Sequence, residues 1–174
     1  TTPGDGQMRA MFISSGNPVL SVPNGPELEE AMEQLELCVA IDLYVTETTK
    51  HADFVLPATT FLEREDFPLA FLSLCTTPLL QMTEAVVEPR GEARQEWEII
   101  EDIASRVGVV PSSVLAMRML GRMGIKMSPR RLVETALRLS PVGDRFGLNR
   151  GGLNPRRLAE AEHGIVLADH WDGG

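Results

Sequence analysis

Cysteine is nearly missing from this chain. Two cysteines, Cys38 and Cys75, occur in 174 residues. Each stands among apolar neighbours, with no second Cys or His two to four residues away, so no zinc-type ligand pair exists. Both thiols are expected to be buried as small hydrophobes. No disulfide framework follows, and a reducing compartment, the cytoplasm by default, is the expected setting. Long apolar runs are missing too, which argues against membrane insertion. Positive charge is short: 16 Lys and Arg face 25 Asp and Glu, a net charge of -9. A nucleic-acid partner needs a basic face, and an anionic membrane surface would repel this one, so neither is expected. The three histidines, His51, His163 and His170, are widely spaced and lack the paired spacing of a zinc site. There is no Gly-x-Ser-x-Gly, phosphate-binding loop, Cys-x-x-Cys, internal repeat, signal peptide or lipidation motif. A stand-alone nucleotide enzyme would need a catalytic group, and none presents itself. The opening residues, Thr1 to Gln7, read as a loop cut from something longer.

The residues present have the makings of an ordinary core, 43% apolar and 24% charged. Met8 to Ile13 is a short apolar run bounded by Gly, Ser, Asn and Pro, and predicts a buried strand. A turn-rich loop follows to Gly25. Asn24 is placed to cap a helix with Pro26 in its first turn. Leu28, Ala31, Met32 and Leu35 then share one helical face between Glu27 and Glu36. Leu37 to Ile41 reads as a second strand ending at Asp42. A short helix over Thr46 to His51 leads to a third strand, Asp53 to Leu56, stopped by Pro57. Strands joined by a crossover of about a dozen residues are parallel, in a right-handed βαβ unit. The expected fold class is therefore α/β, a parallel sheet flanked by helices. Residues 84–94 read as an extended segment with a Pro-Arg-Gly turn. Arg94 to Val107 reads as a helix with Trp97, Ile100, Ala104 and Val107 on one face, Ile103 beside them and Gly108 as the stop. Beyond Val109 a mainly helical C-terminal segment is expected. It has helices over Ser112 to Arg122 and Ser128 to Leu139, a loop over 143–154, a helical turn and short strand within 158–168, and a frayed tail. The domain expectation is one unit over 7–108 and a helical extension over 109–174.

Ligands of open parallel sheets bind at the carboxyl ends of the strands. Two segments end strands suitably. Gly16-Asn17-Pro18 follows the first. Gly16 permits positive φ or a close backbone approach, and Asn17 offers a donor and an acceptor. Exposed amides there suit a phosphate or ribose, but Gly-Asn-Pro is also an ordinary turn. Asp42 ends the second strand. Its carboxylate can accept two ribose hydroxyls or the N1-H and N2-H of a guanine edge, and can equally cap the next turn. Glu63, Glu65 and Asp66 form an acidic run that suits acid-base work in principle. With Arg64 between them, a solvated face or a helix start is the expected reading.

Taken in order, Gly16-Asn17-Pro18, Ile41-Asp42 through Thr46-Glu47-Thr48, Ala52-Asp53 through Pro57-Ala58 and Phe61-Leu62-Glu63 resemble the molybdopterin oxidoreductases of the dimethyl sulfoxide reductase and formate dehydrogenase type. Glu88 through Gly91-Glu92-Ala93-Arg94 and Trp97 to Ile100 extend the likeness, as does His163-Gly164-Ile165 within 158–167. The resemblance implies a Rossmann-like domain contacting one guanosine end of a bis-molybdopterin guanine dinucleotide that carries molybdenum or tungsten. It implies that Asp42 receives the guanine edge, that Gly16, Asn17 and Pro18 lie near the ribose and diphosphate, and that Thr46 helps at the same pocket. It further implies a larger parent oxidoreductase whose remaining domains are the partners. The parent would hold an iron–sulfur cluster, which this chain cannot, since the cysteine-rich segment is absent. No residue here matches the metal ligand. The family's Asn-x-Glu-Gly-Arg run is replaced by residues 66–78. This departure motivates an alternative, a non-catalytic scaffold that kept the fold and lost the ligand.

Overall fold

The computed structural model describes residues 3–109, 121 and 128–169. The helix expected over Ser112 to Arg122, apart from Gly121, and the tail from His170 lie outside the described residues. The chain divides into two compact units, Thr1–Thr60 with Pro89–Val109, and Phe61–Glu88 with Val110–Gly174.

The first unit is built on a three-stranded parallel sheet in the order β1-β2-β3, with β1 Ala10–Ser14, β2 Leu37–Asp42 and β3 Phe54–Pro57. The expected strands are present, displaced by a residue or two at their ends. In register, Ser14 stands opposite Ile41, Ile41 opposite Leu56, and Asp42 opposite Pro57. Side chains alternate across the pleat. Ile13, Cys38 and Ala40 therefore bury one face against Met32, and Ile41 buries the other against Ile99 and Ala58. β2 is central and nearly continuous in its burial, as a strand covered on both sides must be. Each fully buried aliphatic side chain contributes about 1.5–3 kcal/mol. Cys38 sits inside this core as expected, and burial pushes its thiol up from the ordinary range.

The first crossover holds α1 (Pro18–Ser21) and α2 (Gly25–Glu33). Asn24 does not cap α2 as expected. It adopts the left-handed conformation, φ 62°, and its amide donates to Glu27 instead of accepting from the backbone. The second crossover holds no α-helix, only a 3-10 turn over Thr49–His51. After β3, Arg94 adds a one-residue parallel bridge to Ala58. The chain then enters a helix over Glu96–Arg106, here called α4, because α3 belongs to the other unit. Gly108, at φ 74°, takes the left-handed position just past its end. The buried face of α4 differs from expectation. Ile99 and Ala104 are buried and Ile103 is packed beside Ile99, whereas Ile100 and Val107 face an open apolar groove shared with Phe12.

The second unit has its own core, Met82, Leu137 and Leu158, with Phe67, Leu80, Leu153 and Ile165 packed around it. α3 is Leu69–Leu72, and β4 (Leu79–Leu80) pairs antiparallel with β5 (Ile165–Val166). α5 spans Pro129–Leu139, as the sequence suggested, and α6 spans Pro155–Ala159. The acidic run is not a solvated helix start. Glu63 is only 6% exposed, and Asp66 exchanges both backbone bonds with Thr83 at 3.0 Å. Ser128 caps α5, its hydroxyl accepting from the Arg131 amide at 3.3 Å. Ser128→Ala is expected to cost about 1 kcal/mol, the usual cost of losing such a cap. Urea unfolding checks this, and an unchanged midpoint would show that the cap contributes nothing.

Candidate functional site

The carboxyl ends of β1, β2 and β3 lie side by side, about 4.8 Å apart from strand to strand. Asp42 closes β2 between the other two tips. Its Oδ1 accepts from the Leu43 amide at 2.7 Å. Its Oδ2 has no donor among the described residues. The carboxylate therefore keeps acceptor capacity at the edge of the sheet, and the next 3-10 turn is flanked by Thr48, not by Asp42. Leu43, Tyr44 and Val45 follow as an exposed apolar run, with Tyr44 72% exposed. At the β3 tip, Thr59 is 4% exposed and its hydroxyl has no partner among the described residues. A buried hydroxyl without a partner costs about 1–3 kcal/mol unless a bound group supplies one.

The β1 tip is held by residues far away in sequence. Ser15 extends the ladder by donating its amide to Ile41 at 3.0 Å. It also takes the left-handed conformation, φ 51°, where a glycine would be expected. Gly16 does not take that conformation, and a side chain on it would meet nothing closer than 3.8 Å. The positive φ that the sequence allowed at Gly16 thus falls on Ser15. Ser14 and Ser15 are both anchored by Glu96, at the start of α4. One of its carboxylate oxygens accepts from the Ser14 hydroxyl at 2.6 Å and from the Ser15 hydroxyl at 2.5 Å.

Asn17 ties the same loop to the second crossover. Its amide donates to Glu47 at 2.8 Å, and its carbonyl accepts from the Thr48 hydroxyl at 2.6 Å. The Thr48 oxygen also accepts from the Val19 amide at 2.9 Å. Pro18 opens α1. The Asn17 amide holds the Glu47 carboxyl below its ordinary range, so Glu47 stays ionised. Thr46 faces inward. Its amide donates to Thr49 Oγ1 at 2.7 Å, and its hydroxyl accepts from the Thr49 amide at 3.2 Å. Gly16, Asn17, Pro18, Asp42 and Thr46 are therefore gathered at one edge. Asp42 has an open acceptor, whereas Asn17 and Thr46 spend their polar groups on the loops. Ser14, Ser15 and Glu96 belong to the same edge and were not singled out by sequence. A hydroxyl pair at a strand tip has no sequence signature until its carboxylate partner is known.

Among the described residues, no group of three or more His, Cys, Asp or Glu side chains is arranged to hold a metal ion. No helix among them is long and apolar enough to cross a membrane.

Comparison with known proteins gives one consistent answer. The profile of the molybdopterin oxidoreductase family matches residues 1–106. The chain is 38% identical over 104 residues to the assimilatory nitrate reductase catalytic subunit of Bacillus subtilis (strain 168), covering 60% of this chain and 14% of that protein. It is 34% identical over 101 residues to the F420-dependent formate dehydrogenase subunit alpha of Methanocaldococcus jannaschii, covering 58% of this chain and 14% of that one. Among solved structures, acetylene hydratase from Pelobacter acetylenicus superposes with a TM-score of 0.50 at 28% identity, over 58% of this chain and 14% of that one. The chain thus spans only about a seventh of the length of these relatives. With the family profile covering the whole of the parallel sheet and α4, the chain belongs to the molybdopterin oxidoreductase family.

Proposed function

We propose that this chain acts as the nucleotide-contacting α/β portion of a larger molybdopterin oxidoreductase, and that its strand tips receive the guanosine end of a molybdopterin guanine dinucleotide. The family implies a molybdenum or tungsten pterin cofactor. That cofactor supplies the redox chemistry, while protein groups bind and orient it. The other domains, an iron–sulfur cluster and the substrate site belong in this reading to the rest of the larger protein.

The observation that carries the reading is Asp42. A carboxylate at the tip of the central strand, with one oxygen open, matches the paired N1-H and N2-H donors of a guanine edge. Two further features fit the group. Tyr44 and its apolar neighbours offer a surface for a base, and the Thr59 hydroxyl has no partner among the described residues. Gly16, Asn17, Pro18 and Thr46 shape the rim of the same pocket.

The test is a GDP titration of the chain followed by amide NMR, with ATP as the control. Saturable shifts around Asp42 and Gly16 are expected with GDP and not with ATP. Asp42→Ala is expected to weaken binding by about 10-fold to 100-fold, the loss of about 1.5–3 kcal/mol of charge-assisted hydrogen bonding. Equal affinity of the variant and the parent would overturn the reading. The scaffold alternative draws on the internal commitment of Asn17 and Thr46, and it predicts no shifts with either nucleotide.

A further inference from the structure

We propose that His51 is a proton-operated latch between the two crossovers. Its charged ring ties the 3-10 turn Thr49–His51 to α2. Its neutral ring loosens that turn and, through Thr48, the Asn17 loop at the strand tips. The inference concerns regulation of that edge and stands whichever ligand the edge receives.

The ring lies between two carboxylates that are one helical turn apart on α2. Nε2 is 3.2 Å from Glu29 Oε1, and Nδ1 is 3.6 Å from Glu33 Oε1. The His51 side chain is only 12% exposed, so water satisfies little of it. A charged imidazole has a proton on each nitrogen and can meet both carboxylates at once. A neutral one keeps a single proton, and its other nitrogen turns a lone pair toward a carboxylate. One of the two ties then gives way to repulsion. Histidine ordinarily changes charge between about pH 5 and pH 8, a range in which carboxylates and ammonium groups ordinarily do not.

The charged groups around the ring come from each element that packs against it. Lys50, beside it on the same turn, pairs with Glu29 at 2.9 Å, and that pairing pushes the ammonium up from its ordinary range. Lys50, and after it His51, hold the Glu29 carboxyl below its ordinary range. Glu47, just upstream, is held low by the Asn17 amide. These three therefore keep their charges while a histidine titrates. β2 also packs against the turn and carries Cys38 and Asp42. Cys38 is buried in the core, and Asp42 accepts from the Leu43 amide. Asp53, two residues beyond the ring, accepts from the Cys38 amide at 2.7 Å.

Movement at the turn reaches the strand tips by a short path. The His51 amide donates to the Thr48 carbonyl at 3.2 Å. Thr48 is fully buried, and its hydroxyl donates to the Asn17 carbonyl at 2.6 Å and accepts from the Val19 amide at 2.9 Å. The latch, the turn and the β1 tip thus form one hydrogen-bonded run. The tie is strongest with His51 charged and weakens as pH rises through the midpoint of the ring.

The experiment is an NMR titration of the full chain from about pH 5 to pH 8, on the parent, His51→Gln and Glu33→Gln. It follows the His51 ring, the Thr48 amide and the Asn17 side-chain amide. It also follows hydrogen exchange at the Ala52 amide, which donates to Thr49 at 3.0 Å. In the parent, the Thr48 and Asn17 signals are expected to move with the midpoint of the His51 ring. Exchange at Ala52, corrected for its intrinsic pH dependence, is expected to quicken about threefold over the same range, the size of a weak ion-pair tie. In His51→Gln the step disappears and exchange is fast throughout. In Glu33→Gln, which leaves the ring in place, the step shrinks by about half or more. A merely structural His51 would change the baseline in the variant and show no step in the parent. Thr48 and Asn17 signals that ignore the midpoint of the ring would overturn the proposal, as would the same step in His51→Gln. Should His51→Gln not fold, an undiminished step in Glu33→Gln overturns it instead.

Discussion

Replacing Thr48 with valine is expected to destabilise the chain by about 2–3 kcal/mol and to loosen the candidate site at the same time. Valine has nearly the shape of threonine, so packing is preserved. What disappears is the hydroxyl, in a residue with 0% exposure. That oxygen accepts from the Val19 amide and donates to the Asn17 carbonyl. Removing it leaves one donor and one acceptor without partners in a part-buried setting, which is costlier than the loss of an exposed bond. The Asn17 side chain then keeps only its bond to the exposed Glu47, and the tie of the β1 tip to the second crossover is weakened. Urea unfolding reports the stability, and the NMR signal of the Asn17 side-chain amide reports the tip. An unchanged midpoint together with an unmoved Asn17 amide would show that Thr48 does not hold this edge together.

Gly143→Ala is expected to be strongly destabilising to the second unit. A Cβ at Gly143 would lie 2.1 Å from the Leu137 carbonyl oxygen and 2.4 Å from that of Arg138. Both atoms belong to the backbone at the end of α5, so no side chain can swing aside. Either the helix end or the following loop must move. Asp144, next in sequence, is 7% exposed and accepts from the Phe146 amide at 3.0 Å, so the loop is anchored as well. A loss of about 3 kcal/mol or more is expected, at the upper end for overpacking. Gly151→Ala is the control, because its added carbon would meet nothing nearer than 3.8 Å and should cost under about 1 kcal/mol. Equal unfolding midpoints for the two variants would contradict the steric account.

The strands were legible because each is a short apolar run between turn residues. Burial on both faces makes such runs continuous, and β2 is the clearest case. The parallel sheet follows from connections too long for hairpins. The face of α4 was harder. Apolar residues at 97, 99, 100, 103, 104 and 107 cover so wide a stripe that its centre is not defined by sequence. Packing against Ile41 and Leu56 chose Ile99 and Ile103. Asp42 could be placed at a strand tip from local pattern alone. Ser15 could not be picked out, because local rules assign positive φ to glycine. Its compensating bond comes from a residue 81 positions away. Glu63 misled in the same way: a charge in an acidic run looks solvated until its tertiary surroundings are known.

The distance between Ser14 and Glu96 along the chain also has a temporal side. The β1 tip emerges from the ribosome 82 residues before the carboxylate that fixes it. At about 5–20 residues per second, this is an interval of roughly 4–16 s. Throughout it, the left-handed backbone of Ser15 has its steric cost without the compensating hydrogen bonds. β1 and β2 can pair early, but their edge takes its final form only after Glu96 has been synthesised. The carboxyl edge of the sheet thus cannot become fully native before the start of α4 has been made, however early its strands pair.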